Sequence, residues 1–168
     1  MRLVLENSQK NLITIEQELT ALQLYLDIES IRFKDKFEYN ISVDEDIESG
    51  ICKIPPLILQ PYVENAIWHG LMNLEKEDIG RISVDIKLID DLIYCYIIDN
   101  GIGREKASQL ISTKNKSHES LGTKINQNRI ETLNFSRNSK ISIKYEDIKD
   151  VSGLVIGTKV VIVIPIIT

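Results

Sequence analysis

The sequence predicts an α/β fold: a two-layer sandwich with a mixed or antiparallel sheet, preceded by one long helix. Three observations carry this. Leu12, Ile15, Leu19, Leu22 and Leu26 recur at spacings of 3, 4, 3 and 4, which is helical. Short alternating apolar stretches follow, at 37–43, 82–88, 141–145 and 158–164. The helical stretches between them do not form regular strand–helix–strand units, which argues against a doubly wound parallel sheet. At 168 residues the chain fits one domain, or one domain with a helical extension.

Residues 11–33 read as the first helix. Its heptad seam suits a two-helix or four-helix interface, but Glu29 and Phe33 occupy the next seam positions. Two heptads are too short for a free coiled coil, so the seam fits either one piece of a bundle or an amphipathic helix lying on its own domain. The corresponding expectation for association is a weak monomer–dimer equilibrium or a helix folded back on the chain. Phe37, Tyr39, Ile41 and Val43 alternate as a half-buried strand, and an acidic loop, Asp44 to Glu48, follows. Pro55-Pro56 fixes an extended entry. Leu57 to Leu71 reads as a helix with Pro61 tolerable in its first turn and Gly70 placed to end it.

Ile82, Val84, Ile86 and Leu88 alternate, Asp90-Asp91 turns, and Leu92 to Ile98 returns, giving a hairpin. After Asp99-Asn100-Gly101-Ile102-Gly103, residues 104–119 hold a short helix candidate. The polar run Ser112 to Glu119 then reads as a loop. Leu121 to Phe135 is predicted helical, with Ile125, Arg129 and Leu133 on one side. Ile141 to Tyr145 and Thr158 to Ile164 close the sheet.

Apolar residues make up 43% and charged residues 27%, enough for a buried core. A formal charge of −5 speaks against a general electrostatic grip on nucleic acid. Cys52 and Cys95 stand apart without CxxC spacing, which excludes a disulfide scaffold and a cysteine zinc site and suits a reducing cytosol. No signal peptide is read at the start. The apolar run Val160 to Ile167, interrupted by Pro165, is far short of the roughly 20 residues that span a bilayer and reads as a buried strand.

Three stretches suggest chemistry. An acid at a strand end followed by spaced glycines, Asp99-Asn100-Gly101-Ile102-Gly103, can accept a hydrogen bond from an exocyclic amine such as that of adenine. The glycines would let backbone approach a flat ring or a phosphate. Asp-Asn-Gly is equally an ordinary turn. Asn65 and His69 share a helix face, and an amide oxygen suits Mg²⁺ that keeps its waters and phosphates. A surface amide and a histidine favoured by the helix dipole are the plainer readings. Ser120-Leu121-Gly122-Thr123 opens a helix, which presents free N–H groups to a phosphate or is simply capped by Ser120.

Their order resembles the GHKL superfamily of ATP-binding (Bergerat) domains, which includes gyrase-type ATPases, heat-shock chaperone ATPases, mismatch-repair ATPases and histidine kinases. Gly157-Thr158, at the start of the last strand, extends the match. Within it, the chain is closest in pattern to LytS-like sensor histidine kinases. The resemblance rests on Ile54-Pro55-Pro56 with Leu59-Gln60-Pro61 leading to Glu64-Asn65-Ala66 and His69-Gly70. It rests also on Leu19 through Tyr25-Leu26-Asp27-Ile28-Glu29 to Arg32-Phe33, and on Ser120-Leu121-Gly122 with Asn128-Arg129-Ile130. It runs from about residue 12 to 165.

The resemblance implies a division into 1–34, part of the dimerisation and phosphotransfer helices, and 35–168, the ATP-binding catalytic domain. It implies ATP and Mg²⁺ as ligands, with Asn65 on the metal and Asp99 reading adenine beside Gly101 and Gly103. Ser120, Gly122 and Thr123 would lie on the phosphates and Thr158 near the base, with Ser112 to Glu119 as the lid. Ser120 stands where many relatives have a glycine, which would stiffen that loop.

The relatives' phospho-acceptor lies in a His-Phe motif, and His69 and His118 sit in no such setting. The implied function is therefore transfer of the ATP γ-phosphoryl group to a histidine on another segment of a parent sensor kinase. A response regulator would be the downstream partner. Localisation would be cytoplasmic, with membrane contact only through upstream segments.

The ATPase members have a water-activating Glu four residues before the metal-binding Asn, and this chain has Pro61 there, which cannot take a proton. Glu64 could orient a metal-bound water or the incoming histidine, or could simply cap the helix. An alternative function of the same fold is a nucleotide-sensing or dimerising module without turnover.

Overall fold

The computed structural model describes residues 12–34, 36–75, 77–113, 128, 130, 131, 134 and 140–166. The chain begins with β1 (Ile13–Thr14), which pairs antiparallel with β3 (Lys53–Ile54). Helix α1 (Ile15–Arg32) follows at once. It starts later than residue 11 because Thr14 is its N-cap. The Thr14 hydroxyl accepts from the Gln17 amide at 3.2 Å and the Gln17 side chain accepts from the Thr14 amide at 3.2 Å, a reciprocal capping box.

The heptad seam of α1 faces inward. Ile15, Leu22 and Leu26 are 0–1% exposed and join the same core as the sheet, with Leu19 packed against them. The chain's own core therefore covers this face. The outer face carries Leu24, Ile28 and Ile31, all more than half exposed.

The main sheet has the order β2–β4–β5–β7–β6, built from β2 (Phe37–Val43), β4 (Gly80–Ile89), β5 (Leu92–Asp99), β6 (Ser142–Lys149) and β7 (Val155–Pro165). Only β2 and β4 run parallel, so the sheet is mixed as expected. Asp90 and Asp91 take φ of 49° and 60°, the left-handed pair that a two-residue hairpin turn needs.

The last two strands extend beyond 141–145 and 158–164. A tight turn at Asp150 allows this: its Oδ1 accepts from the amides of Ser152 and Leu154 at 2.8 and 3.0 Å, and Gly153 supplies a positive φ of 85°. Alternation sends Ile82, Val84, Ile86, Ile93, Cys95, Ile97, Val160, Ile162 and Ile164 into the core layer.

The helical segment predicted for 57–71 is α2 (Gln60–Asn65), a widened turn Ala66–Gly70 with i→i+5 character, and a 3₁₀ turn Leu71–Asn73. Leu57 has φ of +57° and is not helical, while Pro61 sits in the first turn where its missing N–H is harmless. Gly70 does not end the segment, since its φ is −87° and the chain winds on to Asn73. The Asn73 side chain donates to the His69 carbonyl at 3.1 Å.

Helix α3 (Arg104–Thr113) takes in Ser112 and Thr113, expected as loop. The rest of that polar run lies outside the described residues, as do Ser120, Gly122, Thr123, Ile125, Arg129 and Leu133. Of the helix expected over 121–135, the described residues Asn128, Ile130, Glu131 and Asn134 are helical, and Ile130 is buried in the core.

Candidate functional site

Asp99 is the last residue of β5 and is 6% exposed. Its register partner on β7 is Thr158, itself buried. The Asp99 Oδ1 accepts from the Gly101 amide at 2.8 Å, and the Thr158 backbone adds a second hydrogen bond. Burial pushes the Asp99 carboxyl up to about 6, partly offset by these two backbone donors. Both donors favour the ionised form, so their net effect is to hold a carboxylate in a site that desolvates it.

Two glycines make the site possible. A Cβ on Gly101 would lie 2.5 Å from the Gly70 Cα and 2.9 Å from the Asp99 Oδ1. The helical turn ending in His69-Gly70 therefore rests directly on the Asp99–Gly101 turn, and the Ile102 amide reaches the Gly70 carbonyl. Gly70, read from the sequence as a helix terminator, is needed for this close approach. Gly103 has φ of +81°, a conformation open to glycine and strained for other residues, and leads straight into α3.

Beside Asp99 lies a cavity of about 590 Å³, within the range of small-molecule sites. One wall is a helix face: Tyr62, Asn65, Ala66 and His69. The strand ends contribute Asp99, Tyr145, Thr158 and Val160, and the start of α3 contributes Gly103, Arg104, Ala107 and Ser108. The widened turn begins just after Asn65 and carries His69, so Asn65 and His69 both reach the cavity.

The Arg104 guanidinium sits over the Tyr145 ring at 4.7 Å, and the Tyr145 and Tyr62 rings are 6.2 Å apart. Burial raises the Tyr145 hydroxyl, and the Arg104 charge partly lowers it. The cavity thus offers a buried acceptor, an amide, aromatic walls and one guanidinium.

Of the residues singled out from the sequence, Asn65, Asp99, Gly103 and Thr158 line this one cavity, and Gly101 backs it. Glu64 is not among the lining residues; its Oε1 accepts from the side-chain NH₂ of Gln60, one turn earlier, at 2.8 Å. Ser120, Gly122 and Thr123 lie outside the described residues.

Sequence reasoning missed Arg104, Tyr145 and Tyr62. A cation directly after Asp-x-Gly-x-Gly was the available signal for Arg104. Tyr145 shares the alternation of Ile141 and Ile143, which places all three on one face.

Among the described residues no group of three or more His, Cys, Asp or Glu is placed to hold a metal ion. A protein-only metal cage is therefore not built by them, whereas a Mg²⁺ held mainly by phosphates and water needs only one amide such as Asn65. Among the described residues no helix is long and apolar enough to cross a membrane.

Residues 1–37 match the family model for histidine kinases. The sensor protein LytS of Oceanobacillus iheyensis is 36% identical over 122 residues, which is 71% of this chain and 20% of that protein. The LytS of Bacillus cereus is 29% identical over 166 residues, 96% of this chain and 26% of that protein. The chain thus spans about a quarter or less of the curated relatives it matches.

Among solved structures, the catalytic domain of histidine kinase ThkA superposes with a TM-score of 0.58 at 14% identity, covering 92% of this chain and 94% of that one. The histidine kinase domain of a blue-light activated kinase from Erythrobacter litoralis gives 0.59 at 15% identity, covering 98% and 70%. At such identities these two likenesses speak for the fold, and the LytS matches speak for the family. The chain is thus similar over 71–96% of its length to LytS sensor proteins and has the fold of histidine kinase catalytic domains.

Proposed function

We propose that this chain binds ATP with Mg²⁺ and delivers the γ-phosphoryl group to a histidine on another segment of a sensor kinase, from which a response regulator is phosphorylated. The observation that carries this reading is the buried Asp99 carboxylate at the wall of a nucleotide-sized cavity that Asn65 also lines.

In this reading the Asp99 carboxylate accepts from the adenine amine while Gly101 and Thr158 hold its other lone pairs. Thr158 and Val160 border the base, and Gly103 lets the backbone come close. Asn65 offers its amide oxygen to Mg²⁺, which when bound neutralises charge on the phosphates. Arg104, beside the N-terminus of α3, is the cation available to the phosphates among the lining residues. Ser120, Gly122 and Thr123 complete the phosphate side on the family pattern. Glu64 is assigned no proton transfer: its side chain does not line the cavity, and its Oε1 accepts from the Gln60 side-chain amide.

Pro61 stands one helical turn before Asn65 and offers no base to water. The reading therefore favours transfer over hydrolysis, with catalysis by positioning and charge neutralisation. Residues 1–34 would join the phosphotransfer segment to the nucleotide-binding domain of residues 35–168, whose core α1 enters through Ile15, Leu22 and Leu26. A cytoplasmic location, with anchoring by other parts of the parent protein, goes with this reading.

The test is titration with ATP and ADP with and without Mg²⁺, followed by transfer of γ-label to a supplied LytS-type helix bearing the acceptor histidine. Acid-labile label on that helix is the expected outcome, with hydrolysis far below the ordinary enzyme scale of about 1 s⁻¹. Tight nucleotide binding without transfer would make the domain a nucleotide sensor instead.

A further inference from the structure

Helix α1 grips the Asn65-bearing segment at two places. Glu18, on the inner face of α1, is 1% exposed. Its Oε2 accepts from the Leu57 amide at 2.8 Å and its Oε1 from the Leu59 amide at 3.0 Å. Leu57 is held at a positive φ of 57°, and Leu59 is the N-cap of α2 without a side-chain cap of its own. A carboxylate from α1 therefore does the capping that α2 lacks, and it does so with both oxygens.

At the far side of Asn65, Trp68 is held by the end of α1. The Phe33 and Trp68 rings meet edge to face at 5.1 Å, and the Arg32 guanidinium lies 4.9 Å over Trp68. The Tyr25 hydroxyl is hydrogen-bonded with the Trp68 side chain. Asn65 thus lies between two points of attachment, Leu57–Leu59 and Trp68, both made to the same helix.

We propose that Glu18 is a positioning residue: by capping α2 from α1 it makes the two helices move as one body, so that the place of α1 sets the place of Asn65 at the nucleotide. This rests on the reading of Asn65 as the Mg²⁺ ligand. A substitution that releases the cap would leave the adenine end, built on β5 and β7, in place and would loosen the metal end. The chemical reason for choosing Glu18→Gln is specific. An amide side chain there would keep the shape but present an NH₂ to one of two backbone N–H groups, so one of the two bonds is replaced by donor facing donor.

The experiment compares the parent chain with Glu18→Gln and with Ile93→Ala. Ile93 is a fully buried residue of β5 that pairs with Ile164, far along the sheet from Asp99. Two quantities are read: amide hydrogen exchange without nucleotide, and the factor by which Mg²⁺ strengthens ATP binding. Glu18→Gln should raise exchange in the 57–65 segment about tenfold or more relative to β4 and β5. It should cut the Mg²⁺ enhancement at least fivefold and leave Mg²⁺-free ADP binding within twofold. Ile93→Ala should lower the melting temperature without that selective loss.

Unchanged exchange at 57–65 in Glu18→Gln would overturn the proposal, as would raised exchange with an unchanged Mg²⁺ enhancement. An equal selective loss in Ile93→Ala would reduce Glu18 to a general stabiliser and overturn it too. A parent chain that shows no Mg²⁺ enhancement would instead sink the Asn65 assignment. The exchange pattern would then still decide whether Glu18 holds α2.

Discussion

Gly70 and Gly101 touch backbone to backbone: a methyl group added to Gly101 would sit 2.5 Å from the Gly70 Cα and 2.6 Å from its carbonyl carbon. This contact joins the helix that carries Asn65 to the strand end that carries Asp99. Gly101→Ala should therefore push the two walls of the cavity apart. Overpacking of this kind costs about 1–3 kcal/mol. At this chain length that is a fall in melting temperature of roughly 2–12 °C, with ATP affinity lost in the same variant. Calorimetric melting and nucleotide titration check both, and a variant that melts and binds like the parent would contradict the contact.

Asp99→Asn tests the adenine assignment. The Gly101 and Thr158 backbones both donate to this side chain. An asparagine must spend its one oxygen on them, which turns its NH₂ toward the adenine amine. Loss of a charge-assisted hydrogen bond costs about 1.5–3 kcal/mol, so ADP and ATP should both bind roughly 10- to 150-fold more weakly. Unchanged affinity for either nucleotide would remove Asp99 from the site.

The same residue sets a pH dependence. Its carboxyl is raised from 3.8 to about 6 in the folded chain. Between those values the folded form holds more of this proton than the unfolded form. The Asp99 contribution to stability therefore falls as pH rises from about 4 to about 6 and stays at its low level above that. Nucleotide binding runs the other way: affinity should fall as pH drops below about 6 and the carboxylate is protonated. The slope attributable to Asp99 is the part missing in Asp99→Asn, and parallel profiles for the two proteins would contradict the assignment.

Leu22 tests the place of α1. It is 1% exposed and shares the core with the sheet residues. Leu22→Ala should cost about 2–5 kcal/mol, seen as a lower urea midpoint at any protein concentration. A loss that appears only at concentrations where the parent self-associates would mean that Leu22 meets a second copy. Leu19→Asp with Leu22→Asp should unfold the chain rather than yield a folded monomer.

How much of the molecule is legible in the sequence depends on whether a pattern has one physical cause. The 82–98 hairpin is readable because alternation and an Asp-Asp turn point the same way. The heptad of α1 is not decisive, because a 3-4 apolar spacing serves a bundle seam and a helix on its own sheet alike; that seam holds Ile15, Leu22 and Leu26 against the core. Gly70 reads as a terminator because the reason for it is a neighbour 31 residues later in the chain, Gly101. Asp99, Asn65, Gly103 and Thr158 can be gathered by resemblance, and the cavity joins them. Arg104 and Tyr145 escape because their pairing crosses from α3 to β6, a contact that spacing along the chain does not encode.

The most direct measurement is calorimetric titration of ATP into the parent chain and Asn65→Ala, each with and without Mg²⁺. The account predicts that Mg²⁺ strengthens ATP binding in the parent. It predicts that Asn65→Ala loses most of that enhancement while binding Mg²⁺-free ADP nearly as the parent does. No ATP binding by the parent, or an equal Mg²⁺ enhancement in both proteins, would contradict it.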